Sequence, residues 1–158
     1  QLELTARYES LMRTQYGKSL PDFLRALLES LQDDLGFVAG LAYQVKDGAY
    51  EVVATYALPQ YVGRSFSGGL LETATALKEP YLVAASVGRM VSLPSLATLQ
   101  PKYVLYLPVY ADVTGGGVIA VLELLLLRAP DKEKVELIGA LLPRLGSYLW
   151  MQQVGLQA

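Results

Sequence analysis

The segment FVAGLAYQVK-DG-AYEVVATYAL, residues 37–58, restricts the possible folds more than any other part of the chain. Two runs of β-branched, aromatic and small apolar residues flank Asp47-Gly48, a pair that accepts the positive φ angles of a two-residue hairpin turn. Antiparallel strands are therefore predicted over 37–46 and 49–58. A second hairpin is predicted further on. Lys102–Asp112 alternates, Thr114-Gly115-Gly116-Gly117 supplies a turn, and Val118–Arg128 reads as an apolar strand. Two hairpins call for an antiparallel sheet, and a sheet this apolar needs covering on at least one face.

Helical periodicity supplies the cover. Leu4, Tyr8 and Leu11 recur at spacings of four and three, one seam of a helix or coiled coil. Gly17 ends that pattern. Ser19, Pro21 and Asp22 then read as a new helix start, with Phe23, Leu24, Leu27, Leu28, Leu31 and Leu35 on one broad face and Gly36 as a stop. Pro59–Gly69 reads as a polar loop, Leu70–Lys78 as a short helix and Pro80–Ala85 as a short strand. Residues 86–101, with Met90, Leu93 and Leu96 among small and polar residues, are too apolar for a free loop and are expected to lie over another part of the fold. From Pro130-Asp131 a last helix carries Val135, Ile138, Leu142, Leu145, Leu149 and Leu156 on one seam, with Leu137, Leu141 and Tyr148 beside it. Two stripes exceed what one sheet face needs, which points to a partner helix and hence to a homodimer through the terminal helices. Leu4, Tyr8, Leu11, Ile138, Leu142, Leu145 and Leu149 are the residues expected to form that seam. Pro143 falls inside the helix and requires a kink or tight packing, while Gly139 and Gly146 would permit close helix contact.

Composition excludes several chemistries. The chain has 158 residues, enough for one domain with its own core, and 53% of them are hydrophobic against 18% charged. A formal net charge of −2 gives no basic field for nucleic acid or anionic membranes. The longest apolar run, Val118–Leu127 interrupted by Glu123, falls far short of the roughly 20 residues that span a bilayer. There is no Cys, His or Asn. Thiol nucleophiles, disulfides, histidine triads and Cys/His metal sites are thereby ruled out. Carboxylate chemistry is left, and Glu72 with Glu79 shows no converging constellation, so no catalytic residue and no metal site is assigned and the chain is expected not to be an enzyme.

The order helix, helix, hairpin, helix, strand, irregular segment, hairpin, helix resembles that of GAF domains, over roughly residues 19–154. SGGLLETATALKEPYLV, residues 67–83, is similar to the family's glycine-led short helix and edge strand. KYVLYLPVYADVTGGGVIAVLEL is similar to its central hairpin, with Pro108 before a hydrophobic residue and Ala120 where glycine is usual. Asp131–Met151 resembles its long closing helix. The resemblance implies an α+β fold of the profilin-like kind, with a central antiparallel sheet, N- and C-terminal helices on one face, and a loop-covered pocket on the other. It implies a sensory or regulatory module of a multidomain signalling protein, binding a small effector non-covalently, mediating dimerisation, or both. A ligand-free dimerisation spacer and a PAS-like sensor are the alternatives. Cofactors of the family narrow by absence: covalent bilin needs Cys and His-ligated haem needs His, and the family's cyclic-nucleotide signature contains Asn. No cofactor is identified.

Six residues are candidates for ligand contact. Glu123 lies inside the most apolar strand, where an ionised carboxylate needs a partner, and either a ligand amine or hydroxyl or a structural Lys, Arg or solvent contact would serve. Arg64 and Arg89 border the expected pocket with guanidinium forks suited to anions, although surface arginines need no ligand. Tyr43 and Tyr103 offer aromatic walls with a polar tip, and Ser86 stands where an Asp is frequent in the family. The remaining expectations are organisational. Residues 1–18 form a linker or coiled-coil-like helix and 19–158 the domain, an output domain is covalently linked beyond the fragment, and the setting is cytoplasmic, alone or as part of a membrane-anchored receptor.

Overall fold

The structure, a computed structural model, describes residues 2–85, 91–92, 98–111 and 117–157. Among the described residues, four helices and eight strands follow one another as α1 (Leu2–Thr14), α2 (Leu20–Leu35), β1 (Ala39–Lys46), β2 (Ala49–Tyr56), β3 (Ser65–Phe66), α3 (Gly69–Leu77), β4 (Tyr81–Ala84), β5 (Val91–Ser92), β6 (Thr98–Leu99), β7 (Tyr103–Tyr110), β8 (Val118–Leu126) and α4 (Lys132–Gln157). A 3-10 turn, Pro59–Tyr61, precedes β3. Six strands form one antiparallel sheet in the order β3-β2-β1-β8-β7-β4, and β5 pairs with β6 in a separate two-stranded piece.

Local chemistry sets the boundaries. Ser19 caps α2 by accepting from the Asp22 backbone N–H at 3.3 Å, and Gly36 closes it in the left-handed region at φ 68°. Asp47 and Gly48, at φ 52° and 77°, make the tight turn between β1 and β2. Asp131 holds the start of α4 through the backbone N–H groups of Glu133 and Lys134. Pro108 is tolerated within β7 because β4 reaches only Tyr103–Tyr106, so β7 has become an edge on that side by position 108.

The sheet separates two cores. On one face Ala42, Leu105, Leu107, Leu122, Leu124 and Leu126 meet α1, α2 and α4. On the other, Leu41, Tyr43, Val52, Val104, Tyr106 and Leu125 meet α3, with Leu71 and Ala74 buried beneath it. The α+β architecture with terminal helices on one face is as expected. Among the described residues, no helix is long and apolar enough to cross a membrane.

The terminal helices need two corrections. Leu4, Tyr8, Ile138, Leu142, Leu145 and Leu149 are buried within the chain's own helix-side core, and Leu11 packs against it, so the expected dimer seam is an intramolecular surface. The reason is geometric: α4 crosses β7 and β8 while also meeting α1 and α2, so one helix supplies both stripes to one core. For the same reason residues 1–18 are not a separate linker, because α1 is part of that core. Gly139 and Gly146 do allow close approach, but to other elements than a helix. A Cβ on Gly139 would lie 2.8 Å from Pro80 Cγ, and one on Gly146 would collide with the Tyr110 carbonyl oxygen. The close approach at Gly146, three residues on from Pro143, is against the end of β7.

A partly buried polar contact fixes α1 on α2. The Tyr8 hydroxyl donates to Asp34 Oδ2 at 2.7 Å, and Arg7 donates to Asp34 Oδ1 at 2.5 Å. Burial, together with the hydrogen bond to Asp34, pushes the Tyr8 hydroxyl well above the usual tyrosine range. The folded protein keeps this proton at a pH where the unfolded chain loses it. The contribution is thus fully present below about pH 10 and declines as pH rises beyond it. Tyr8→Phe should cost about 2 kcal/mol at neutral pH in urea unfolding. The gap to wild type should narrow above about pH 10, and a gap constant with pH would rule the linkage out.

Candidate functional site

The site follows from the parity of β8. Leu122, Leu124 and Leu126 enter the helix-side core, so Val121, Glu123 and Leu125 face the other way. Glu123 lies opposite Leu41 of β1 and Tyr106 of β7. Tyr43, two residues along β1 from Leu41, shares its face. Two phenols therefore converge on one carboxylate. Tyr43 donates to Glu123 Oε1 at 2.8 Å and Tyr106 donates to Oε2 at 2.7 Å.

Glu123 is only 9% exposed, Tyr43 3% and Tyr106 0%. A carboxylate so enclosed is costly unless both oxygens are bonded, and charge-assisted bonds from two hydroxyls offset part of that cost. Among the described residues, no Lys or Arg lies within ion-pair distance of it. Two of roughly four acceptor positions on the carboxylate are used by the tyrosines. Neither structural expectation for Glu123, a cationic partner or a solvent-facing position, describes this arrangement.

Neighbouring rings hold the two tyrosines. Phe66 and Tyr50 meet Tyr43 edge-on, with centroids 6.0 and 6.5 Å away, and Tyr81 stacks on Tyr106 at 6.2 Å. Tyr50 also shares a 2.9 Å hydrogen bond with Thr75, tying β2 to α3. Above the carboxylate is a cavity of ≈ 330 Å³. Leu41, Leu125, Tyr43 and Tyr106 surround Glu123 at its base, while Leu58, Tyr61 and Phe66 form one wall. Leu70 and Leu71 of α3 form the other, with Ser67, Gly68 and Gly69 at the helix start. Gly68 sits at φ 71° and ψ −160°, which only glycine adopts without strain, so the chain can turn into α3 at the cavity wall.

Two of the six candidate residues, Tyr43 and Glu123, are brought together here. Arg64 lies beside the cavity and not on its wall. It is exposed, and its guanidinium covers the ring of Tyr61 at 4.6 Å. Tyr103 is a correction: it packs against the helix-side core, on the opposite face of the sheet. Tyr103 and Tyr106 are three residues apart on one strand and cannot share a face, and the pairing of Tyr106 with Glu123 decides which one reaches the cavity. Ser86 and Arg89, like Met90, Leu93 and Leu96 of the expected roof, lie outside the described residues. Tyr106, Tyr61 and Phe66 were missed as site residues, and the signal for Tyr106 was its odd separation from Tyr103 once Glu123 is placed on the pocket face.

A larger hollow of ≈ 760 Å³ opens between α4 and the edge of the sheet near Pro80, Leu82 and Val135. Its charged residues, Lys78, Glu79, Lys132 and Glu136, are all exposed, and among the described residues no buried polar side chain lines it. The smaller cavity is the better ligand site because it combines apolar walls with a fixed, buried polar group.

No protein-family model matches the chain, and no curated protein matches it in sequence. Solved structures do match it in shape. The GAF domain of a phosphoenolpyruvate-protein phosphotransferase (ptsP) from Coxiella burnetii superposes with a TM-score of 0.76 at 17% identity, over 99% of this chain and 96% of that one. The GAF domain of an Acinetobacter phosphoenolpyruvate-protein phosphotransferase gives 0.72 at 17% identity, over 97% and 94%. The phycoerythrobilin-bound GAF domain from a cyanobacterial phytochrome gives 0.68 at 15%, over 97% and 96%. With six antiparallel strands, helices at both termini on one face and a cavity on the other, this chain has the fold of a GAF domain.

Proposed function

We propose that the chain is a sensory or regulatory domain that holds a small effector non-covalently in the Glu123 cavity and conveys its occupancy to a linked output domain. The single observation that carries this reading is the buried carboxylate at the base of an otherwise apolar cavity, held from both sides by Tyr43 and Tyr106. A sheet needs no such group for its own packing, since the other residues that face this side of β8, Val121 and Leu125, are apolar. Similarity in fold to a phycoerythrobilin-bound domain supports the reading in kind, while the absence of Cys sets covalent bilin attachment aside here.

The route of the signal is through the shared sheet. β1, β7 and β8 line the cavity with one face and carry α2 and α4 on the other, so a shift of Glu123 or its tyrosines bears on the terminal helices directly. A homodimer in this mechanism uses the outward side of those helices, where Met151 of α4 is 71% exposed and Tyr16, in the turn after α1, is 74% exposed. The reading is of a binding module: Glu72, in the first turn of α3, and Glu79, beyond its C-terminal cap, are both exposed.

Filling the cavity tests it. Leu70 is half-buried on the α3 wall, and Leu70→Trp should occupy the space while leaving the sheet intact. Thermal-shift screening of both proteins should find compounds that stabilise the wild type and not the variant. Equal stabilisation of both would place binding elsewhere and reject the site.

A further inference from the structure

Resting on the reading that this cavity binds a small molecule, we propose that its ligand is an organic cation with an apolar body, a primary ammonium that donates to the carboxylate of Glu123. The charge argument comes first. Both phenolic protons are directed at Glu123, where they fill two of roughly four acceptor positions on a buried negative charge, and among the described residues no side-chain cation lines the cavity. An anion placed there would meet like charge at low dielectric, and a neutral apolar ligand would leave the carboxylate's remaining acceptor positions unfilled. An ammonium supplies N–H donors and the opposite charge together. A quaternary ammonium supplies only the charge, which is why a primary one is assigned.

The walls agree with this chemistry. Tyr43, Tyr61, Phe66 and Tyr106 place four aromatic rings around a small cavity, and aromatic faces attract cations. The molecule shows the same preference in its own packing, where the Arg64 guanidinium covers Tyr61 at 4.6 Å. Leu41, Leu58, Leu70, Leu71 and Leu125 complete an apolar surface for the ligand's body. The volume, ≈ 330 Å³, is at the lower end of ligand cavities and suits a compact molecule. The ammonium belongs at the Glu123 end, because the start of α3 at Gly68 and Gly69 carries the partial positive charge of a helix N-terminus.

Three probes built on one branched five-carbon skeleton test the charge: isopentylamine, isopentyl alcohol and isovalerate, titrated calorimetrically into the wild-type domain at neutral pH. The amine is expected to bind at least tenfold more tightly than the alcohol, with isovalerate weakest. Glu123→Gln should weaken the amine at least tenfold and bring it level with the alcohol. Tyr43→Phe, which keeps the carboxylate and removes one donor to it, should retain the preference for the amine, and it serves as the second variant if Glu123→Gln fails to fold. Binding of the alcohol or of isovalerate as tightly as the amine overturns the cationic ligand and leaves the cavity standing as a ligand site. Failure of all three probes also overturns it, and the Leu70→Trp screen then decides separately whether the cavity binds anything.

Discussion

Leu142→Glu is expected to leave the chain unfolded, with near-ultraviolet circular dichroism lost and no cooperative thermal transition. Leu142 is 1% exposed and packs in the core between α4, the sheet and α2. A carboxylate there has no partner and costs several kcal/mol beyond the lost apolar contacts. That sum is comparable with the whole stability of a domain of this size, about 5–15 kcal/mol. The outcome separates two accounts of the terminal helices. Were Leu142 part of a seam between two copies, the same substitution would give a folded monomer, and sedimentation of a compact, half-mass species would contradict the packing described above.

Among the described glycines, Gly146→Ala should be the most damaging alanine substitution, costing about 3 kcal/mol, the upper end for overpacking. The added Cβ would collide with the Tyr110 carbonyl oxygen and carbonyl carbon, both backbone atoms at the end of β7. Neither rotamer change nor side-chain motion relieves such a contact, so α4 must move off the sheet. Gly139→Ala is the comparison. Its Cβ would meet the Pro80 ring at 2.8 Å, a side chain in the connection before β4, and it should cost no more than about half as much. Urea midpoints of the two variants at equal m-value provide the measurement. Equal, small losses would mean that α4 sits further from β7 than the structure has it.

Much of this fold could be read from the residues in order, and the reasons are local. Ser19, Gly36 and Asp47-Gly48 each fix a boundary through their own backbone preferences, and all three boundaries fall where those preferences put them. The strands of both hairpins were legible because runs of β-branched, aromatic and apolar residues on either side of turn residues need no partner to be seen. β3, two residues long inside an expected loop, was not legible: Ser65 and Phe66 have no periodicity of their own and pair only because β2 presents an edge there.

The same division between local and non-local explains the site. Glu123 stood out as a charge within an apolar strand, and Tyr43 as an aromatic on a neighbouring one. Their meeting depends on the register of β1 on β8, and the role of Tyr106 depends on the register of β7 on β8, neither of which a single sequence encodes locally. The mistaken choice of Tyr103 is a parity error of that kind. The seam error has another origin. Periodicity reports that a helical face is apolar without reporting what covers it, and Leu4, Tyr8 and Leu142 are covered by the rest of their own chain.

The claim at the centre of this account is that the sheet face opposite the terminal helices is a binding site based on Glu123, and native mass spectrometry of the domain beside its Leu70→Trp variant, each incubated with the compounds that most stabilise the wild type, tests it most directly. The account predicts a one-to-one adduct per chain on the wild type and none on the variant, with both proteins folded and of the same subunit number. An adduct of equal abundance on both would contradict it.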